Sequence, residues 1–184
     1  MQIHNVKVIT IMRRNIFILS LILLFSTSVF AYQVEMFKTC FSPNGGCTNA
    51  IIEQIDNAQS EILIQAYSFT SAPIAKALIN AHKRGIKVEA ILDKSNRSKK
   101  YTSATFLLHA GVPTYIDNKH AIAHNKIMII DKEIVITGSF NFTKAAEQKN
   151  AENVLILKSK ELAKDYIDNW IKHKAHSEEY EGRE

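Results

Sequence analysis

Two short apolar runs, Ile127-Met128-Ile129-Ile130 and Ile134-Val135-Ile136-Thr137, joined by Asp131-Lys132-Glu133, constrain the fold of this 184-residue chain more than any other feature. Runs of this length bounded by a polar turn read as buried strands, and so short a link makes them a hairpin. The residues that flank the hairpin carry chemistry. His124 and Lys126 are two apart, so on an extended segment they point to the same side. Gly138-Ser139-Phe140-Asn141 follows the second strand and returns to the level where the first began. The hairpin therefore gathers an imidazole, an ammonium, a hydroxyl and an amide at one edge of a sheet. One cation and two neutral donors suit the oxygens of a phosphate, and an imidazole nitrogen can attack its phosphorus. Asp131 falls at the opposite end of the strand, too far to touch the same phosphate. It reads as a structural turn residue.

The full pattern, His-x-Lys-x4-Asp-x6-Gly-Ser-x-Asn, resembles the signature of the phospholipase D superfamily. Ala66-Tyr67-Ser68-Phe69-Thr70, Ala81-His82-Lys83-Arg84-Gly85 and the stretch from Gly138 to Glu147 are similar to the small single-motif bacterial endonucleases of that superfamily, the Nuc type. The resemblance covers roughly Val34 to Trp170. It implies that His124 is a nucleophile forming a phosphohistidine intermediate. Lys126 would then neutralise the non-bridging oxygens, with Ser139 and Asn141 donating hydrogen bonds. Glu152 matches the position where relatives place an acid that orients the nucleophilic imidazole, and Gly138 and Asp131 are structural members of the motif. Two-motif relatives bring two histidines together, so a single motif implies a homodimer in which His124 of the second subunit protonates the leaving oxygen. The chemistry so implied needs no metal and no cofactor. A metal pair of His120 and His124 is a weak competing reading, because no carboxylate or thiolate cluster joins them in sequence.

The N-terminus reads as a targeting segment. Arg13-Arg14 precedes an apolar run from Ile16 to Phe25, and small and polar residues lead to Val29-Phe30-Ala31, the form of a secretory signal peptide. Cleavage after Ala31 leaves a single domain, residues 32–184, in the periplasm or secreted. Met12 is an alternative start, and an uncleaved membrane anchor is the alternative fate of residues 1–31. Removing them takes away Lys7, Arg13 and Arg14 and no acid, so the net charge falls from +5 to +2. The C-terminal stretch from Glu178 is acidic, which leaves the rest of the mature chain more basic. Lys94, Arg97, Lys99 and Lys100 cluster in one polar loop and form a candidate phosphate-tracking rim for a nucleic-acid backbone. Cys40 and Cys47 are the only cysteines, and an even pair in an exported chain reads as a disulfide.

Hydrophobic periodicity orders the rest. A strand near Val34–Phe37 precedes a helix capped by Thr48 or Asn49, and Ile62–Tyr67 is a strand covered on both faces. Ser71 and Pro73 open a helix that closes at Gly85, Ile86–Leu92 is a strand, and a helix near Ala104–Ala110 leads to a strand at Val112–Ile116. Asn153–Leu157 is a late strand, and a helix from Lys160 to His176 turns Leu162, Tyr166, Ile167, Trp170 and Ile171 to one face. The alternation implies an α/β fold: a mixed, mostly parallel sheet with helices on both faces. The favoured activity is metal-independent, non-specific endonuclease cleavage of DNA, with RNA open as a substrate. Hydrolysis of phospholipid head groups is the alternative, since both substrates present the same diester. A non-catalytic phosphate-binding module for DNA transfer is a minor third reading.

Overall fold

Among the residues described by the computed structural model, 33–98 and 102–182, eight strands form one sheet with six helices packed around it. The expected signal segment, with its alternative start at Met12, lies outside the described residues, as do Lys99 and Lys100. In chain order the elements are β1 (Glu35–Phe41), α1 (Cys47–Asn57), β2 (Glu61–Ala66), α2 (Ala72–Lys83), β3 (Lys87–Asp93), α3 (Ser95–Ser98), α4 (Ser103–His109) and β4 (Thr114–Asp117). There follow β5 (Lys126–Ile130), β6 (Ile134–Gly138), α5 (Lys144–Gln148), β7 (Asn153–Lys158), α6 (Lys160–Lys174) and β8 (Glu178–Glu179). The strand order across the sheet is β1-β7-β6-β5-β2-β3-β4-β8.

The sheet is mixed, as expected, but mostly antiparallel instead of mostly parallel. Only β2–β3 and β3–β4 run parallel. Each of these two pairs is joined by a helical crossover, as a parallel pair requires. The β5–β6 hairpin, β7 and β1 all add antiparallel, and β8 closes the far edge antiparallel to β4. The destination of β1 beside β7 and the existence of β8 carry no local sequence signal.

Helices cover both faces. On one, Ile51 and Ile55 of α1, Ile74 and Leu78 of α2, and Leu107 of α4 pack on Ile62, Ile64, Leu92, Met128 and Ile136. On the other, Ala163 and Trp170 of α6 pack on Leu63, Ile91, Ile127, Ile129 and Val135. The odd–even split along β2 and β5 is the period-two geometry of a strand, and burial on both sides explains why these strands are almost wholly apolar. The expected inner face of α2, Ile74, Ala77, Leu78 and Ala81, is buried. Trp170 is buried, and its indole N–H donates to the Ile64 carbonyl at 2.9 Å, which anchors α6 across the centre of the sheet.

Helix α1 departs from expectation at its start. It begins at Cys47, and its N-cap is Gly46, not Thr48 or Asn49. Glycine offers no side chain to the free N–H groups of the first turn. Glu147 of α5 supplies that acceptor from afar, taking the N–H of Gly46 at 3.0 Å and of Thr48 at 2.7 Å. Cys40 and Cys47, the expected disulfide partners, stand side by side as buried thiols. Burial, reinforced by Cys40, pushes the Cys47 thiol up to about 12 and holds it protonated.

Asp131 and Lys132 both take positive φ, 53° and 58°, and the Glu133 N–H returns to the Ile130 carbonyl at 3.1 Å, closing the β5–β6 turn. The Asp131 carboxylate accepts from the backbone N–H of Gln59 (2.9 Å), Ser60 (2.7 Å) and Glu61 (3.1 Å) and from the Ser60 hydroxyl (2.8 Å). It thus ties the hairpin to the entry of β2, at the end of the sheet opposite Lys126. Burial opposes its ionisation, but these hydrogen bonds outweigh it and hold the carboxyl below the usual carboxylate range. Because the folded-state value is lowered, this stabilisation is present above the ordinary aspartate pKa and lost as pH falls through the lowered one. Asp131→Ala is expected to cost about 1–2 kcal/mol at neutral pH, discounted for partial exposure, read from the urea midpoint. An unchanged midpoint would remove this anchor.

Candidate active site

Strands β2, β3, β4 and β6 end, and β5 and β7 begin, at one edge of the sheet, and the motif residues collect there. Ala66 at the end of β2 pairs with Lys126 at the start of β5, and the Tyr67 N–H donates to the Asn125 carbonyl at 2.8 Å. His124 lies just before β5 with its side chain exposed, while Lys126 is buried. Tyr67 lies against both. Its ring centroid is 4.6 Å from that of His124, and the Lys126 ammonium stands 5.0 Å from it in a cation–π contact. Lys126 Nζ also donates to the His124 carbonyl, which restrains the extended segment that presents the imidazole.

Burial lowers the Lys126 pKa from its ordinary value, and the negative charges of Glu152 and Asp93 oppose that shift. The site is therefore a partly desolvated cation between two acids, beside an exposed imidazole. Asp93 also organises the approach to His124. Its carboxylate accepts from the Ser95 N–H at the start of α3 and from the Ala123 N–H, both at 2.8 Å. Asn96 closes the same corner, its amide donating to the carbonyls of Tyr67 (2.7 Å) and Asp93 (3.0 Å).

The second half of the motif is set by a glycine and two phenylalanines. Gly138 has φ 146°, and a Cβ there would sit 2.2 Å from the Asn153 carbonyl oxygen, so β6 and β7 approach this closely only because the position is glycine. Phe140 and Phe142 alternate with Ser139 and Asn141, and both rings are buried. Phe142 meets Phe69 edge-on at 5.8 Å, and its carbonyl accepts from the N–H groups of Thr70 and Ser71. These contacts bind the Ser139–Asn141 turn to the segment that carries Tyr67. The Ser139 hydroxyl accepts from the Asn153 N–H at 3.1 Å and side-chain amide at 3.3 Å, which leaves its own hydrogen to donate. The Asn141 amide oxygen is buried without a partner among the described residues, as suits a group that pairs with a ligand.

Glu152 occupies the same edge. Its carboxylate accepts from the Asn150 amide at 3.0 Å and acts on Lys126 through charge. No hydrogen bond joins it to His124 among the described residues. The basic loop is partly committed elsewhere: Arg97 pairs with Glu178 of β8, and Lys94 donates to the His120 carbonyl at 3.1 Å. Tyr67 and Asp93 belong to the site although neither lies in the signature. Each directly adjoins the C-terminal end of a parallel strand, where ligands of open α/β sheets bind, and that position was the available signal.

Residues 51–173 match the family model described as "Cardiolipin synthase, PLD-like domain". The chain is 51% identical over 138 residues to a phospholipase D of Rickettsia conorii, covering 75% of this chain and 69% of that one. Among solved structures it is similar to the phospholipase D family member Nuc from Salmonella typhimurium, with TM-score 0.77, 33% identity, and coverage of 83% of this chain and 100% of that one. It is also similar to NucT from Helicobacter pylori, with TM-score 0.71, 26% identity, and coverage of 78% and 99%.

The clustered donors should hold a tetrahedral oxyanion. Inorganic phosphate is expected to shift the His124 ring resonances saturably in NMR titration. Lys126→Met should weaken that binding by about 10–100-fold, the worth of a charged hydrogen bond. Equal affinity in the variant would exclude Lys126 from the anion site.

Proposed function

The chain belongs to the phospholipase D superfamily and is a phosphodiesterase, and on that premise we propose that it is an exported, metal-independent endonuclease. The observation that carries this reading is the pairing of exposed His124 with buried Lys126 on Tyr67, at the sheet edge where β6 leads into Ser139 and Asn141. An imidazole nitrogen of His124 attacks phosphorus, and the bond to the leaving oxygen breaks. Water then hydrolyses the phosphohistidine. Lys126, Ser139 and Asn141 stabilise the charge that builds on the non-bridging oxygens, where preorganised donors contribute about 3–4 kcal/mol each. Glu152 and Asp93 set the field around Lys126.

The leaving oxygen needs a proton, and among the described residues no second imidazole packs on His124. Three other histidines, His120, His173 and His176, are gathered on Asp117 instead. A second subunit's His124 supplies that proton in a symmetric dimer. DNA is the favoured substrate, supported by the single-motif endonuclease resemblance and the basic loop. The name of the Rickettsia conorii relative supports the second reading, hydrolysis of a phospholipid head group. Export follows from the signal segment, with the mature chain starting at Tyr32. In that oxidising location Cys40 and Cys47 join, which a 2 Da mass loss relative to the reduced protein would register.

Purified protein is expected to nick plasmid DNA in excess EDTA while circular dichroism shows the fold retained. His124→Asn should lower the rate by about 10³-fold or more. Rescue of an EDTA-inactive but folded enzyme by magnesium, a hard cation held by oxygen ligands, would sink the metal-free mechanism. Head-group release from vesicles with DNA untouched would select the lipid reading. If the site is shared, subunits exchanged with His124→Asn should give activity that follows the square of the wild-type fraction. A linear dependence, or an active monomer by sedimentation, would remove the dimer.

A further inference from the structure

Asp117, at the end of β4, is wholly buried, and its carboxylate is met by three imidazoles from two distant parts of the chain. His120 Nδ1 lies 3.1 Å from each carboxylate oxygen, His173 Nδ1 is 2.8 Å from Oδ2, and His176 Nε2 is 3.3 Å from Oδ2. The ring centroids are mutually close, 4.9 Å between His120 and His173 and 5.2 Å from His176 to each of the others. The only other hydrogen bond to the Asp117 carboxylate among the described residues comes from the Lys119 N–H at 3.2 Å.

From this geometry we propose that Asp117, His120, His173 and His176 form a structural zinc site. The donor set is three imidazole nitrogens and one carboxylate oxygen, which suits a borderline cation in four-coordinate geometry. Zinc–nitrogen bonds of about 2.0–2.1 Å place tetrahedral ligand atoms about 3.3–3.4 Å apart. One atom from each of the four residues already lies within 4.8 Å of every other, and the carboxylate–imidazole distances stand near that edge length. The spacing is Asp-x2-His followed by His-x2-His, so each pair comes from one turn of chain and presents two ligands to one point. Four protein ligands leave no open position, which makes the site structural and not catalytic.

The site's place in the fold gives it a use. The loop from Asp117 to Lys126 crosses the ends of β3 and β2 and carries His124 near its far end. His173 closes α6 and His176 precedes β8, so a metal here clamps the C-terminal segment onto the root of the catalytic loop. Arg97 to Glu178 and the pairing of Ile116 with Glu178 act at the same junction.

The test uses untagged full-length protein stripped with dipicolinate, then titrated with zinc chloride against a chromophoric chelator. One zinc per chain is expected, with melting raised by about 5–10 °C at saturation. His120→Ala removes the most exposed ligand, so it should fold while losing at least about 100-fold in zinc affinity. Asp117→Asn should do the same. Cobalt(II) should give the intense visible bands of a tetrahedral site in wild type and lose them in His120→Ala. His124→Asn should bind zinc as wild type does. No saturable 1:1 binding, undiminished affinity in His120→Ala, or loss of zinc in His124→Asn would each overturn the site. These readouts are metal stoichiometry, melting and spectra, so their failure leaves the phosphodiesterase reading standing. Failure of plasmid nicking equally leaves the metal site standing.

Discussion

The antiparallel pairing of β5 with β2 is the constraint on which the rest depends. β2 is central, buried on both faces, and parallel to β3; β5 joins its other side in the opposite sense. That reversal puts the beginning of β5 where β2 ends. Lys126 consequently stands beside Ala66, and Tyr67, one residue further on, meets both His124 and Lys126. A shift of one residue in this register would send Lys126 to the other face and dismantle the site.

The electrostatics follow from the same placement. A lysine that begins a fully buried strand loses much of its water, and burial alone would favour its neutral form. Glu152 and Asp93 counter this from the two sides of the edge, one before β7 and one ending β3. The two acids thus serve the cation more directly than they serve the imidazole. At the opposite end of the hairpin, Asp131 spends its carboxylate on three backbone N–H groups and a hydroxyl around the entry to β2. One motif therefore sets the chemistry at one end of β5 and the registry at the other.

Local pattern made much of this legible. The hairpin, the buried strands and the inner face of α2 all follow from short-range periodicity. The sense of the sheet was not legible, because β1 finds β7 across more than a hundred residues and β8 is two residues long. The cap of α1 comes from Glu147, which no rule about neighbouring residues could supply to Gly46. Asp117 and His120 gave no signal by themselves, and neither did His173 and His176, since each pair makes sense only beside the other.

By itself the sequence determined which groups could do chemistry here: an imidazole and an ammonium two residues apart, and a serine and an asparagine after an obligatory glycine. It also determined the strands that carry them, since spacing and hydrophobic period are properties of contiguous residues. Tertiary structure alone decided what surrounds those groups. The desolvation of Lys126, the acids that offset it, the Tyr67 ring beneath His124 and the gathering of three histidines on Asp117 all arise between segments far apart in the chain. Burial and charge depend on distance in space, and spacing along the sequence does not encode that distance.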